Sequence, residues 1–185
     1  MPCAECNACC RTFHVIHVRP EEKSALSRIP RRALLPAPGL PPGNLVIGHD
    51  QAGCCPLLVD GRCTIYPDRP LACRTFDCRI YAATGVRVDR DEIASQVERW
   101  TFSYSSQEDG DLRAAVQAAT RYIREHPECF ANDIARRDPL RVAVLAIAVH
   151  ELFLESGPDT RGPAPPESAV ARAVVAADAK LFGDL

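Results

Sequence analysis

Apolar and polar positions divide the chain into halves with different periods. In the second half three stretches repeat an apolar residue at i, i+4, i+7 and i+11. They are Ile93/Val97/Trp100/Tyr104, Leu112/Val116/Ala119/Ile123 and Val170/Val174/Ala177/Leu181. That spacing draws one stripe along a helix of 3.6 residues per turn, so each stretch is predicted to be an amphipathic helix. A fourth helix is predicted from Asp138-Pro139, an acidic cap followed by proline at the first helical position. It runs through LRVAVLAIAVHELFLES and stops at Gly157-Pro158. Being apolar nearly all round, it is expected to be the central buried helix. A shorter helix is expected over 128–137.

The first half lacks that rhythm. TFHVIHV at 12–18 reads as a short strand and PEEKSALSR at 20–28 as a helix opened by proline. Residues 30–43, PRRALLPAPGLPPG, hold too much proline for regular structure and are predicted to be a loop. In CPLLVDGRCTIY at 55–66, Asp60-Gly61 stands between two β-prone runs, a short-range hairpin signal. Pro70 reads as the first residue of a short helix, and GPDTRGPAPPE at 157–167 as a linker. The pattern predicts an α+β, mostly α fold. A cysteine-rich module with a β-hairpin takes residues 1–83, and a helical region packed on it takes 84–185.

At 185 residues the chain suffices for one ordinary domain, or one with a small appendage. A net charge of −2, with no basic stripe interleaved with aromatics, argues against a nucleic acid or an anionic membrane as partner. The longest apolar run, VAVLAIAV at 142–149, is far shorter than the roughly 20 residues that span a bilayer. No apolar stretch precedes the first cysteine at position 3, so a cytoplasmic protein is expected. Structural disulfides are rare there, and the ten cysteines point instead to metal or redox chemistry.

Eight of those cysteines form two packets: Cys3, Cys6, Cys9 and Cys10, then Cys55, Cys63, Cys73 and Cys78. C-x2-C-x2-C brings successive thiolates to one side of a tight turn. Zinc knuckles use C-x2-C, and bacterial iron–sulfur sites extend it to C-x2-C-x2-C. Side chains of adjacent residues diverge, so Cys9 and Cys10 are expected to serve two metals, or two edges of one polynuclear centre. The hairpin should bring Cys55 and Cys63 together, with Cys73 and Cys78 just beyond. Four thiolates on zinc or on a [4Fe–4S] cluster leave a formal charge of about −2. Arg62, Arg69, Arg74 and Arg79 could offset it, although Asp60, Asp68 and Asp77 nearly balance them. Cys54 reads as a spare small residue beside Cys55, and Cys129 as a buried thiol in a helix away from the motif. His14 and His17 would face opposite sides of a strand, and His49 and His150 read as surface or core residues.

Cys3-x2-Cys6-x2-Cys9-Cys10-Arg11 together with CPLLVDGRCTIYPDRPLACRTFDC at 55–78 resembles the CxxCxxCC family of zinc- or iron-chelating domains. The resemblance covers about the first 80 residues. It implies that the eight cysteines form the metal site and that Tyr66, Arg69, Pro70 and Arg74 support it. The cysteine module of flagellin lysine N-methylase is distantly similar and implies that iron is as credible as zinc. Three function classes follow. The first is a metal- or cluster-binding protein with a structural, storage or redox centre. The second is a protein-modifying enzyme akin to the methylase, for which no carboxylate pair, Ser/His/Asp set or phosphate-cradling glycine loop is visible. The third is a zinc-ribbon nucleic-acid binder, which the charge disfavours.

Overall fold

Short β-prone runs in the first half can bury only one face, and they do so by pairing. The computed structural model describes residues 6–12, 15–89, 91–130, 138–156 and 165–182. Strands β1 (Ile16–Val18), β2 (Leu34–Pro36) and β3 (Leu45–Ile47) form an antiparallel sheet in the order β1-β3-β2. Register places Ile16 and Leu34 on either side of Ile47, and Val18 and Pro36 on either side of Leu45. With a side-chain period of two, Ile16, Val18, Leu34 and Ile47 share the core face, while Leu35 lies exposed on the other. Two of these strands fall where the sequence reading differs. β2 lies inside the stretch expected to be loop, and β3 was not anticipated. Pro36 is tolerated because β2 is an edge strand, where a missing backbone donor faces no partner.

Helix α1 (Lys23–Arg28) covers this sheet with Ala25, backed by Ile29. It begins later than the proline at position 20 because Glu22 folds its carboxylate back onto the Arg19 N–H, at 2.8 Å. The predicted hairpin is present: β4 (Leu58–Val59) pairs with β5 (Arg62–Cys63), joined by Asp60 and Gly61 at φ 49° and 76°. Positive φ at both turn residues is the twist-matched two-residue connection that Asp-Gly favours. Helix α2 (Leu71–Thr75) follows Pro70. Leu57 and Ile65, flanking the hairpin, join Val18, Ala25, Ile29, Ala33 and Ile47 in one small core.

The remaining helices are α3 (Arg79–Thr84), α4 (Asp91–Val97), α5 (Gln107–Glu125), α6 (Pro139–Val149) and α7 (Glu167–Phe182). The chain divides into two compact units. One is Met1–Asp77 with Arg90–Gln96, and the other is Cys78–Asp89 with Val97–Leu185. In the second unit α6 packs against α3, α5 and α7. The Asp138 carboxylate accepts the Leu140 N–H at 2.9 Å, the cap expected from the sequence. Val142, Ala143, Leu145, Ala146 and Val149 are buried, while Ile147 is exposed, so α6 is central without being enclosed all round. Arg141 clamps α7 through two hydrogen bonds to Asp178, at 2.6 and 2.7 Å.

Three helix boundaries differ from expectation. The stripe that ran to Tyr104 stops at Val97, because β-branched, aromatic and serine residues follow and Ser106 caps a new helix by accepting the Asp109 N–H. In α5 the buried positions are Ala115, Ala119, Thr120 and Ile123, with Leu112 exposed. The helix expected to continue to residue 156 tightens into a 3-10 helix at His150–Ser156. There Phe153 stays buried against Tyr122, ring centroids 5.9 Å apart, while Glu151 and Leu152 face solvent. The helix expected over 128–137 lies largely outside the described residues; its start is a 3-10 turn, Pro127–Cys129. The architecture is α+β and mostly α, and no helix among the described residues is long and apolar enough to cross a membrane.

Candidate metal centre

Cys9 and Cys10 of the first packet lie on a 3-10 turn, Ala8–Arg11, with Ala8 buried and Thr12 donating to the Cys9 carbonyl at 3.2 Å. Two hydrogen bonds seat this turn on the hairpin. Cys55 N–H donates to the Cys10 carbonyl at 2.8 Å, and Asn7 Nδ2 donates to the Gly61 carbonyl at 3.0 Å. Asn7 also accepts from Arg11 Nε at 3.0 Å. Chain segments separated by more than forty positions therefore meet through their main chain. Cys55 and Cys63 lean on the small apolar core beneath them. Cys73 arrives on α2, whose first N–H, that of Leu71, donates to Glu22 Oε1 at 2.6 Å. One carboxylate thus sets both the start of α1 and the start of α2.

Cys9, Cys10, Cys55, Cys63 and Cys73 are close enough to feel one another's charge. The Cys10 thiol donates to Cys9, which is the largest influence drawing the Cys9 thiol down to about 7; burial opposes, and backbone N–H groups and Arg69 assist. The two adjacent side chains are thus within hydrogen-bond reach of each other. Cys10 moves far above the usual thiol range through that same hydrogen bond, then through burial and the charges of Cys9, Cys55 and Cys63. Burial, reinforced by Cys9, Cys55 and Cys63, pushes Cys73 up to about 12, with Arg69 opposing. Burial likewise raises Cys55; the Leu57 N–H opposes, and Cys63, Cys9 and Asp50 add to the rise. So many mutually repelling thiolates become stable together only when a cation is among them.

Arg69 is the arginine that reaches this cluster. Its guanidinium lies 3.5 Å over the Tyr66 ring and its Nε donates to the Tyr66 carbonyl at 2.8 Å. Asp68 does not cancel it, because Asp68 accepts from Ser24 Oγ and pairs with Arg28 at 3.5 Å. Arg62 and Arg74 are exposed, and Pro70 is fully buried ahead of α2. Cys6 is half-buried just before the turn. Cys3 lies outside the described residues, as does His14. Cys78 caps α3 and belongs to the second unit.

Among the described residues every cysteine is free of disulfides. Cys54 donates its N–H to Asp50 Oδ1 at 2.8 Å, within a loop that Asp50 organises. His17 bonds Asn44 at 2.8 Å, and His150 bonds the Ile147 carbonyl at 2.6 Å. Cys129 is half-buried in the 3-10 turn, beside His126 and Glu128, so the expectation of a buried helical thiol is corrected. The spacing H-x-E-C could have signalled that grouping from sequence.

The family model CxxCxxCC, described as "Putative zinc- or iron-chelating domain", matches residues 2–98. No curated protein matches the chain, and no solved structure does.

Proposed function

We propose, from the premise that this chain belongs to the CxxCxxCC family of zinc- or iron-chelating domains, that it is a metal-binding protein of the reducing cytoplasm. Its centre is held by Cys3, Cys6, Cys9, Cys10, Cys55, Cys63, Cys73 and Cys78. The observation that supports the reading is the Cys55 N–H bond to the Cys10 carbonyl, which joins one cysteine of the first packet to one of the second. Soft thiolates suit both zinc and an iron–sulfur cluster. Eight thiolates would fill two four-coordinate sites or surround one polynuclear centre.

The role that fits best is structural. Among the described residues, the cluster under the sheet and hairpin holds seven buried side chains, two of them alanine. A structural zinc supplies about 10–16 kcal/mol of folding free energy, and an iron–sulfur centre would add a one-electron couple. The chain's own residues prepare the site. Asn7 locks the turn to the hairpin, Glu22 aligns α2, and Arg69 offsets thiolate charge while Ser24 and Arg28 occupy Asp68.

Elemental analysis and visible spectroscopy of anaerobically purified protein test the proposal. About two zinc ions per chain in colourless protein, or brown protein with a paramagnetic signal on reduction, is the expected result. Folded protein free of both metals overturns it.

A further inference from the structure

The C-terminal end of α5 carries a second group of metal-ligating side chains, remote in sequence from the cysteine packets. His126, Glu128 and Cys129 each present a donor atom, and these atoms all lie within 4.8 Å of one another. His126 Nδ1 and Glu128 Oε1 are already 3.2 Å apart. In a tetrahedral zinc site, bond lengths of about 2.0–2.3 Å put neighbouring donors roughly 3.2–3.8 Å apart. The group therefore needs a contraction of at most about 1–1.6 Å, within reach of side-chain rotations.

Four features of the surroundings suit a cation. The turn closes through Cys129 N–H to the His126 carbonyl at 3.0 Å, continuing from His126 N–H to the Tyr122 carbonyl at 3.0 Å. Its backbone is thus held at the negative end of a nineteen-residue helix dipole. The Tyr122 ring stacks on the His126 imidazole with centroids 4.5 Å apart, which fixes the ring's orientation. The Tyr122 hydroxyl is hydrogen-bonded to Cys129 and also reaches the Glu167 carbonyl at 3.4 Å. A metal-bound histidine and thiolate are commonly steadied by such outer partners. Phe130, the residue after Cys129, is buried.

We propose that His126, Glu128 and Cys129 form a binding site for a borderline divalent cation of the zinc class, separate from the cysteine packets. One imidazole, one carboxylate and one thiolate are three zinc-type ligands, and they leave a fourth position for water. On binding, Cys129 releases its thiol proton to solvent and His126 turns a ring lone pair to the ion. Tyr122 is a positioning residue that donates to the resulting thiolate.

The test is a cobalt(II) titration of the full chain with its cysteine centre filled as purified. The expected result is one further equivalent with a thiolate-to-cobalt charge-transfer band. Cys129→Ser should abolish the band, His126→Ala should weaken binding at least about tenfold, and Tyr122→Phe should weaken it about 10- to 100-fold. The metal present at purification should be unchanged in all three variants, which separates this site from the cysteine centre. Absence of an additional equivalent overturns the proposal, as does additional uptake that survives both Cys129→Ser and His126→Ala. Should Cys129→Ser fail to fold, His126→Ala and Glu128→Gln with circular dichroism as control decide in the same way.

Discussion

The backbone N–H of Cys55 points at the carbonyl of Cys10, 2.8 Å away, and no side chain is needed to make that bond. The segments that carry Cys10 and Cys55, separated by a sheet and a helix, are therefore joined through main chain. Substituting one cysteine leaves this backbone link in place, so single variants report on the thiols rather than on the joining of the segments.

Cys63 sits on β5 opposite Leu58 and leans on the small core. Cys63→Ser is expected to lower metal content and to reduce hydrogen-exchange protection in residues 1–77 more than in the helices after residue 97. Elemental analysis with exchange mass spectrometry checks both parts. Unaltered stoichiometry would remove Cys63 from the ligand set.

Metal loading should weaken as pH falls from 8 to 6. Cys10, Cys55 and Cys73 are raised, mainly by the Cys9 hydrogen bond for the first and by burial for the others, so these thiols hold protons at neutral pH. A metal must displace those protons, and each tenfold rise in proton concentration opposes it further. Cys9, lowered to about 7, loses its proton within the same window. Chelator competition at several pH values gives the slope; a flat response would contradict thiolate ligation.

Gly61 occupies the left-handed region at φ 76°. A Cβ there would meet Asn7 Nδ2 at 3.5 Å, an ordinary contact, so the penalty of Gly61→Ala is backbone strain and not a clash. That strain is about 1–2 kcal/mol. Denaturant unfolding of the metal-loaded chain should show a loss of this size, and an unchanged midpoint would argue against the two-residue turn.

Leu145 is wholly buried on α6, the helix that touches α3, α5 and α7. Leu145→Ala is expected to destabilise the helical unit by about 2–5 kcal/mol through lost burial and a residual cavity. Metal content should not change. Coupled loss of metal would mean that the cysteine centre depends on this helix packing.

Local chemistry made several features legible in advance. Asp60-Gly61 specified its turn because only residues tolerant of positive φ fit it, and Asp138-Pro139 specified the start of α6 because cap and proline act within a few bonds. The stripe ending in Tyr104 misled, since periodicity cannot show that aromatic and β-branched residues after Val97 find better partners outside a helix. Arg113 stacks against Phe102 and Tyr104, at 5.4 and 5.6 Å, as such a partner. Strand β2 is hidden by the prolines in and around it, because edge position is a property of the assembled sheet.

From the sequence alone came the cysteine inventory, the hairpin, the capped helix and the family pattern, since each depends on residues near one another along the chain. Tertiary structure decided that Cys10 meets Cys55, that Asp68 turns to Ser24 and Arg28 so that Arg69 can face the thiols, and that His126, Glu128 and Cys129 converge. Those outcomes depend on distances between segments and on burial. Both arise only once apolar faces have packed and the backbone groups between them have found partners.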